Sequence, residues 1–295
     1  MSSNFMQVFS HSSNVYSADI QYPKLLKEAP GHPNRIFLKG RLREVPLVAV
    51  VGTRRPTPYG KQVTQEIVTD LVRAGVGIVS GLAMGIDAVA HKTAVEQGGY
   101  TVAVLGCGID KIYPSINRDL HHQILNSGGA IVSELPSDTA PRKHYFPARN
   151  RIIAGMSMGV LVTEADWKSG TLHTANFALD YGRDVMAVPG DIYRESSAGP
   201  HNLIRQGANL VTEASQILSV LNIEPLKDSK NSLRPASDNE GILIGLLMKG
   251  ISSSHQLVEE SGMDASTFAQ TITLMEISGR VKNLGGGSWG LSRRS

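Results

Sequence analysis

The sequence VAVVGTRR, residues 48–55, is an apolar run that passes through one glycine into two arginines. A buried parallel strand is typically a nearly continuous apolar run of this kind, and an amphipathic stretch, Lys61–Ala74, follows it. A strand that turns through glycine into a helix directs backbone N–H groups at the turn, where the helix dipole also favours an anion. The segment therefore predicts an α/β fold with an anion site at this turn.

The same alternation of strand and helix continues through most of the chain. Together with Leu47–Val51, five apolar runs are predicted as buried strands: Val76–Ser80, Val102–Leu105, Ala130–Ser133, Gly159–Thr163 and Val185–Val188. Four further stretches are predicted as helices: Ile86–Gln97, Arg118–Asn126, Arg149–Met156 and Thr171–Tyr181. This pattern predicts an extended Rossmann-like, doubly wound and mostly parallel sheet, with ligands at the carboxyl ends of its strands.

Composition divides the chain into four parts. Residues 1–45 are interrupted by prolines and are expected to be an irregular N-terminal extension, and residues 46–222 form the Rossmann-like domain. Residues 223–239 are polar and contain two prolines, which is typical of a linker. Residues 240–295 contain three predicted helices and a strand pair around three glycines: Gly241–Lys249, Ser252–Ser261, Asp264–Ser278 and Arg280–Leu291. This order predicts a small C-terminal winged-helix domain.

Charge and composition limit the class of protein. The formal net charge of +3 weakly favours an anionic partner. A single cysteine excludes an intramolecular disulfide, and the nine histidines show no metal-binding spacing, so we expect no metal and no cofactor. The N-terminus lacks the features of a signal peptide, and no apolar run approaches the roughly 18 residues of a membrane span. These features predict a cytoplasmic protein with no membrane partner.

The first strand-to-helix turn contains Gly52, Thr53 and Arg54. A nucleotide-hydrolase P-loop is disfavoured, because the gap from Gly52 to the GK pair at residues 60–61 is too long for GxxxxGK[ST]. In addition, Gln62 replaces the hydroxyl residue that would bind Mg²⁺. The turn is therefore a candidate phosphate site without a nucleotide-hydrolase motif.

Two further turns share these features. SGLAMGID, residues 80–87, provides Ser80, Gly81 and Gly85, and WKSGT, residues 167–171, provides hydroxyl and backbone donors where a helix begins: Ser169, Gly170 and Thr171. Because parallel strands share a direction, all three turns should open on one edge of the sheet. The alternative is that these glycines only permit tight turns and close helix packing.

The segment RKHYFPARNR, residues 142–151, packs four cations around two aromatic rings. No acidic residue occurs between Asp138 and Glu164. Cations for phosphates and a ring for an unstacked base are what a groove for single-stranded nucleic acid needs. The alternative is a solvated loop whose Phe146 fills a gap in the core.

A series of motifs in fixed order covers about residues 20 to 220: Tyr22-Pro23, Phe37-Leu38-Lys39-Gly40, Val51-Gly52-Thr53-Arg54, residues 80–87 with His91, residues 104–110 with Tyr113-Pro114, residues 146–153, residues 168–171, Val188-Pro189-Gly190 and residues 199–204 with Gly207-Ala208. In this order they resemble the DNA-processing protein A family (DprA, also called Smf). The resemblance implies an extended Rossmann fold that binds single-stranded DNA during natural transformation and recombination. It also implies protection of incoming strands, loading of RecA onto them, a homodimer and no catalysis.

Carried over position by position, the resemblance implies a DNA pocket formed by the residues already singled out. These are Gly52, Thr53, Arg54, Ser80, Gly81, Gly85, Lys143, Phe146, Arg149, Asn150, Ser169, Gly170 and Thr171.

Three questions stay open at the level of sequence. A Rossmann-like enzyme that cleaves nucleoside monophosphates is the alternative function, with candidate acids or bases at Glu134, Glu164 and Asp166 near strand ends. The predicted third helix of the winged-helix domain has no lysine or arginine, which favours protein contact or weak duplex binding over sequence-specific recognition. Four apolar residues could form a dimer surface or belong to the core: Leu203, Ile204, Leu210 and Val211.

Overall fold

The structure is a computed structural model that describes residues 12–225, 237–277 and 280–291. The described residues fall into two compact units, divided between residues 226 and 227, and each has its own hydrophobic core. The division falls inside the predicted linker, of which residues 226–236 lie outside the described part. Residues 1–11 of the predicted extension, and Ser278 of the third predicted C-terminal helix, also lie outside it.

Nine described strands form one sheet in the larger unit: β1 Ser13–Tyr16, β2 Arg35–Gly40, β3 Leu47–Val51, β4 Gly77–Ser80, β5 Thr101–Leu105, β6 Ala130–Ser133, β7 Gly159–Val162, β8 Asp184–Ala187 and β9 Asn209–Leu210. Their order is β1-β2-β6-β5-β4-β3-β7-β8-β9, and every neighbouring pair is parallel except β1–β2 and β2–β6. The chain builds outward on both sides of β3, so the topological switch point lies between β3 and β7. The predicted doubly wound, mostly parallel sheet is confirmed.

Helices cover both faces of this sheet: α1 Lys24–Glu28, α2 Pro58–Arg73, α3 Ile86–Glu96, α4 Arg118–Asn126, α5 Tyr145–Met156, α6 Thr171–Asp180, α7 Glu195–Arg205 and α8 Ala214–Val220. Alternate residues of β3 belong to different core clusters. Val48 and Val50 pack in one cluster, and Ala49 and Val51 pack in the other. Because both faces of the strand are buried, its sequence is apolar throughout.

The prediction that residues 1–45 are irregular is wrong for much of the described segment. Strand β2 pairs with β6, with Phe37 opposite Ser133, and its residues Ile36 and Leu38 are buried. The hydroxyl of Tyr22, just before α1, donates to the carbonyl of Pro33 at 2.5 Å and so links the start of α1 to the segment between α1 and β2. The prolines obscured this short strand, whose stability comes from pairing with a distant strand rather than from local sequence.

Helix α5 begins at Tyr145, four residues before the predicted start at Arg149. Pro147 is tolerated because the first-turn N–H groups of a helix have no intrahelical partner. Helices α7 and α8 and strand β9 were not predicted. Pro200 lies inside α7 and cannot donate to the carbonyl of Ser196, which instead accepts from the backbone N–H of Ala165 at 2.8 Å.

The smaller unit contains α9 Asp238–Met248, α10 Ser254–Ser261, α11 Ala265–Ile277, β10 Val281–Gly285 and β11 Ser288–Leu291. The two strands form an antiparallel hairpin that turns through Gly286 and Gly287, both with positive φ. Its core includes Leu243, Met275 and Trp289, from helices and hairpin alike. Three helices followed by a glycine-tipped hairpin confirm the predicted winged helix.

Candidate nucleic-acid interface

A groove of 770 Å³ opens at the carboxyl edge of the sheet, beside the switch point between β3 and β7. Five parts of the chain line it: the turns after β3, β4 and β7, the loop after β5, and α5 with the segment just before it. Ten of the thirteen predicted site residues lie along the groove: Gly52, Thr53, Arg54, Lys143, Phe146, Arg149, Asn150, Ser169, Gly170 and Thr171. The fold therefore brings together segments that are far apart in the sequence.

Hydrogen bonds at its backbone groups hold the turn after β3 in place. The N–H of Thr53 donates to the carbonyl of Glu164 at 2.6 Å, and the carbonyl of Gly52 accepts from the Thr171 hydroxyl at 2.9 Å. A Cβ on Gly52 would lie 2.6 Å from the Ile86 side chain, so only glycine fits there. Arg54 is exposed at the end of this rigid turn.

The turn after β4 lines the groove at Ala83, but its three predicted site residues, Ser80, Gly81 and Gly85, lie outside the lining. Ser80 is buried, and its hydroxyl donates to the carbonyl of Val50 at 2.6 Å. The N–H of Gly81 donates to the carboxylate of Asp87 at 3.0 Å. Gly85 has φ +86°, and a Cβ there would lie 2.2 Å from the Thr53 carbonyl oxygen. Ser80 and Gly85 thus contact the strand and turn that carry Arg54, while Gly81 contacts Asp87 and Arg149.

Arg149 lies under the groove and is almost fully buried. Its guanidinium donates to the carbonyl of Gly81 at 2.5 Å and to the carbonyl of Val104. Burial lowers its pKa to about 10, so it keeps its charge at neutral pH, while burial raises the pKa of neighbouring Asp87. Arg149 therefore joins the ends of β4 and β5 and places a positive charge beneath the groove.

The basic, aromatic segment approaches the groove from α5. Phe146 lies in the first turn of the helix, where the sequence predicted a loop, and a Cβ on Gly106 would lie 2.7 Å from its ring. The Arg54 guanidinium lies 5.9 Å from the Phe146 ring centroid, within cation–π range. Lys143 is exposed just before the helix. The cation and ring predicted from this segment thus share one groove with Arg54.

The turn after β7 closes the opposite side. Asn150 donates to the carbonyl of Gly170 at 3.2 Å, and the hydroxyl of Ser169 accepts from the N–H of Thr171 at 3.2 Å. A Cβ on Gly170 would meet no atom within 4 Å, so its backbone is open to an approaching ligand. The hydroxyls and amide at this turn mainly hold the loops together, while the turn's backbone stays accessible.

Nine groove-lining residues were absent from the predicted site, and three of them bear on ligand binding: Arg55, Tyr113 and Asp166. Arg55 could have been predicted, because it directly follows Arg54 and carries the same charge. The Tyr113 ring lies 5.4 Å from that of Phe146, a proximity that no local pattern indicates because the two residues follow different strands. Asp166 adds one exposed carboxylate to an otherwise basic rim.

The two other candidate carboxylates have structural partners. Glu134 accepts from Arg151 at 2.6 Å. Glu164 is buried and accepts from the hydroxyl and the N–H of Thr57 at 2.6 and 2.9 Å, at the start of α2. A carboxylate at a helix N-terminus stabilises the helix, which accounts for Glu164 without catalysis.

Two findings concern other classes of ligand and location. Among the described residues, no group of three or more His, Cys, Asp or Glu side chains is arranged to hold a metal ion. Within the same residues, no helix combines the length and the apolar character needed to cross a bilayer.

The fold and the groove define the class of this protein: a Rossmann-like domain with a cationic groove at its switch point, accompanied by a winged-helix domain. Residues 13–222 match the family model of DNA recombination-mediator protein A, and residues 227–287 match the DprA winged helix domain. The chain belongs to the DNA recombination-mediator protein A family, which confirms the resemblance found in the sequence motifs.

Individual relatives agree with this assignment. The chain is 45% identical over 216 residues to Protein Smf of Synechocystis, covering 71% of this chain and 54% of the relative, so it spans about half the length of that protein. The DprA structure from Streptococcus pneumoniae matches with TM-score 0.67 and 41% identity, over 72% of this chain and 76% of that one. DNA processing protein A from Helicobacter pylori, described for its single-stranded DNA binding mode, matches with TM-score 0.65 and 31% identity, over 73% and 98% of the two chains.

Proposed function

We propose that this chain binds single-stranded DNA by its phosphates and performs no chemistry on it. The observation that carries the proposal is the convergence of Arg54, Arg55 and Lys143 on one groove. All three cations are exposed, and open backbone at Gly170 lies on the groove's other side. Exposed cations beside an aromatic ring suit a flexible, unpaired strand better than a stiff duplex. The single-stranded DNA binding described for the Helicobacter pylori relative supports the same assignment.

The predicted site residues divide into two roles under this proposal. Those on the groove surface contact the strand: Gly52, Thr53, Arg54, Lys143, Phe146, Asn150, Ser169, Gly170 and Thr171. Ser80, Gly81, Gly85 and Arg149 position that surface, because their polar atoms and free space are already taken by neighbouring protein groups. Replacing the positioning residues should affect affinity and stability together, whereas replacing the exposed cations Arg54 and Lys143 should affect affinity alone.

A nucleoside-monophosphate hydrolase is less well supported. Such an enzyme needs an available acid or base near the phosphate turns. Of the three candidates, Glu134 and Glu164 are engaged in structural contacts, and Asp166 lies on the groove. An assay for phosphate or base release from nucleoside monophosphates tests this alternative, and turnover abolished by Asp166→Asn would establish an enzyme instead.

Membership of the family supports three further parts of the proposal: a role in natural transformation and recombination, protection of incoming strands with loading of RecA, and a homodimer in the cytoplasm. For the dimer, Leu203 and Val211 are buried in the core of the larger unit, whereas Leu210 is 52% exposed and Ile204 is half-buried. Leu210 on the edge strand β9 is therefore the better candidate for a dimer contact. Sedimentation of the full chain measures the assembly state.

The winged-helix unit has a separate role in this proposal. Its helix α11 presents two exposed apolar side chains, Leu274 and Ile277, and has no cation. A helix that reads the major groove normally carries cations or amides. Protein contact or weak duplex binding is therefore proposed for this unit. Removal of residues 227–295 should leave the affinity for single strands within a few-fold of the full chain.

The central experiment is an equilibrium binding series on single-stranded and duplex DNA across salt concentrations. Three phosphate contacts predict that log affinity falls with log salt with a slope of about −2, since each contact on a single strand contributes about −0.7. Tight, salt-dependent binding to single strands with weaker binding to duplex is expected. Equal affinity for both, or a slope near zero, would contradict the phosphate groove.

A further inference from the structure

Tyr113 is an aromatic side chain on the groove that the phosphate contacts leave unexplained. Its side chain is 44% exposed although it is large and apolar, and it lines the groove beside Lys143 and Phe146. An exposed ring costs hydration free energy unless a partner covers it, and its place inside a nucleic-acid groove indicates which kind of partner that is.

The loop that carries Tyr113 is fixed to the rest of the fold. Just after it, the Asn117 side chain donates to the carbonyls of Leu82 and Ala83 at 3.0 and 3.2 Å. Just before it, Asp110 forms an ion pair of 2.6 Å with Lys39 on β2. Because the loop is anchored on both sides, the ring is pre-positioned and loses little freedom when it binds a ligand.

Phe146 is a poorer platform than Tyr113. Its ring is only partly accessible, because Gly106, Arg54 and Tyr113 all lie against it. The Phe146 and Tyr113 rings are tilted by 39° at 5.4 Å, a favourable offset pair. Phe146 therefore supports Tyr113 and Arg54 and offers the strand only part of its ring, while Tyr113 presents more open ring surface.

We propose that Tyr113 is the ring on which a nucleobase of the bound single strand stacks, while Arg54 and Lys143 hold the neighbouring phosphates. This assignment rests on the proposed binding of single-stranded DNA and adds to it the residue that recognises the base. A ring face accepts any base, so Tyr113 distinguishes a strand with bases from a bare sugar–phosphate chain rather than one sequence from another.

The test compares a thymidine oligonucleotide with an abasic oligonucleotide of equal length. Tyr113→Ala should weaken binding of the thymidine strand about five- to 150-fold, the range measured for removal of a stacking ring. Its affinity for the abasic strand should stay within twofold of the wild type. Tyr113→Phe should bind both strands like the wild type, and Tyr113→Leu, which keeps bulk against Phe146 without an aromatic face, should behave like the alanine variant.

Tyr16→Ala is the matched control, because Tyr16 on β1 is 48% exposed and does not line the groove. This control should bind both strands normally. An equal loss for both strands in Tyr113→Ala and Tyr113→Leu would identify a structural role and overturn the assignment, as would no loss for either strand. Wild-type affinity of Tyr113→Ala for the thymidine strand would likewise exclude stacking on Tyr113. Failure of the wild-type chain to bind either strand would overturn the proposed function itself, and this assignment with it.

Discussion

Replacing Gly85 with alanine tests whether the turn after β4 positions the turn that carries Arg54. At Gly85, φ is +86° and ψ is −132°, a region that is almost closed to other residues. Adopting it costs alanine about 1–3 kcal/mol. The new Cβ would also lie 2.2 Å from the Thr53 carbonyl oxygen, a backbone atom that no rotamer change can move, and overpacking of this kind costs about 1–3 kcal/mol more.

Together these costs give a loss of about 2–6 kcal/mol, or a drop in Tm of at least about 4 °C for a unit of this size. Because Thr53 and Arg54 must move, affinity for single-stranded DNA should fall at least tenfold. Gly98→Ala is the matched control, since Gly98 also has positive φ (+68°) but a Cβ there meets no atom within 4 Å. It should lose some stability and keep its affinity. Normal DNA affinity in folded Gly85→Ala protein, measured by fluorescence anisotropy beside thermal denaturation, would refute the positioning role.

Three further variants test separate parts of the site. Arg54→Ala should weaken single-strand binding sharply and lower the magnitude of the salt slope by about 0.7, whereas Arg205→Ala, which removes an exposed charge on α7, should leave both unchanged in the same anisotropy titration. Arg149→Lys keeps the positive charge, but a lysine cannot donate to two carbonyls as the guanidinium does. The lost buried hydrogen bonds cost about 2 kcal/mol, so the Tm should fall by about 4–8 °C. An unchanged Tm would contradict the role of Arg149 in joining the ends of β4 and β5. Burial lowers the pKa of His91 to about 3. As pH falls below about 6.5, the unfolded chain therefore binds a proton at this residue that the folded chain does not. The free energy of unfolding should fall by up to about 1.4 kcal/mol per pH unit down to about pH 3. Urea denaturation between pH 7 and 4 should show this slope reduced in His91→Asn.

The sequence predicted the elements whose stability depends on local pattern. Strand β3 was predicted with the observed bounds, and the start of α3 at Ile86 was too, because uninterrupted apolar runs and glycine turns mark them clearly. Strand β2 was missed because it is stabilised by pairing with β6, nearly a hundred residues away in sequence. Helix α7 was missed because Pro200 argues against a helix, and only a contact with Ala165 reveals how its Ser196 carbonyl is satisfied.

In the candidate site, too, local sequence predicted some features, while others depend on contacts between distant parts of the chain. Motif matching found the residues at the groove but could not separate those that face a ligand from those that hold the surface in place. Arg149 illustrates the difference, because its charge and motif suggest a phosphate contact, while its burial and its bonds to two carbonyls make it part of the frame. Tyr113 is the opposite case, an exposed ring whose nearness to Phe146 depends on folding two separate loops together.

The number of exposed cations in one groove limits how tightly one copy of the chain can hold DNA. Three phosphate contacts predict a salt slope of about −2, and at physiological salt such binding is weak for the proposed protection of long strands. A dimer with two grooves would raise the affinity for long strands without any new contact, because the second binding event becomes intramolecular. The slope should therefore double to about −4 once the strand is long enough to reach both grooves. If long and short strands gave the same slope, the two grooves would not engage one strand together, and the proposed dimer would need a different purpose.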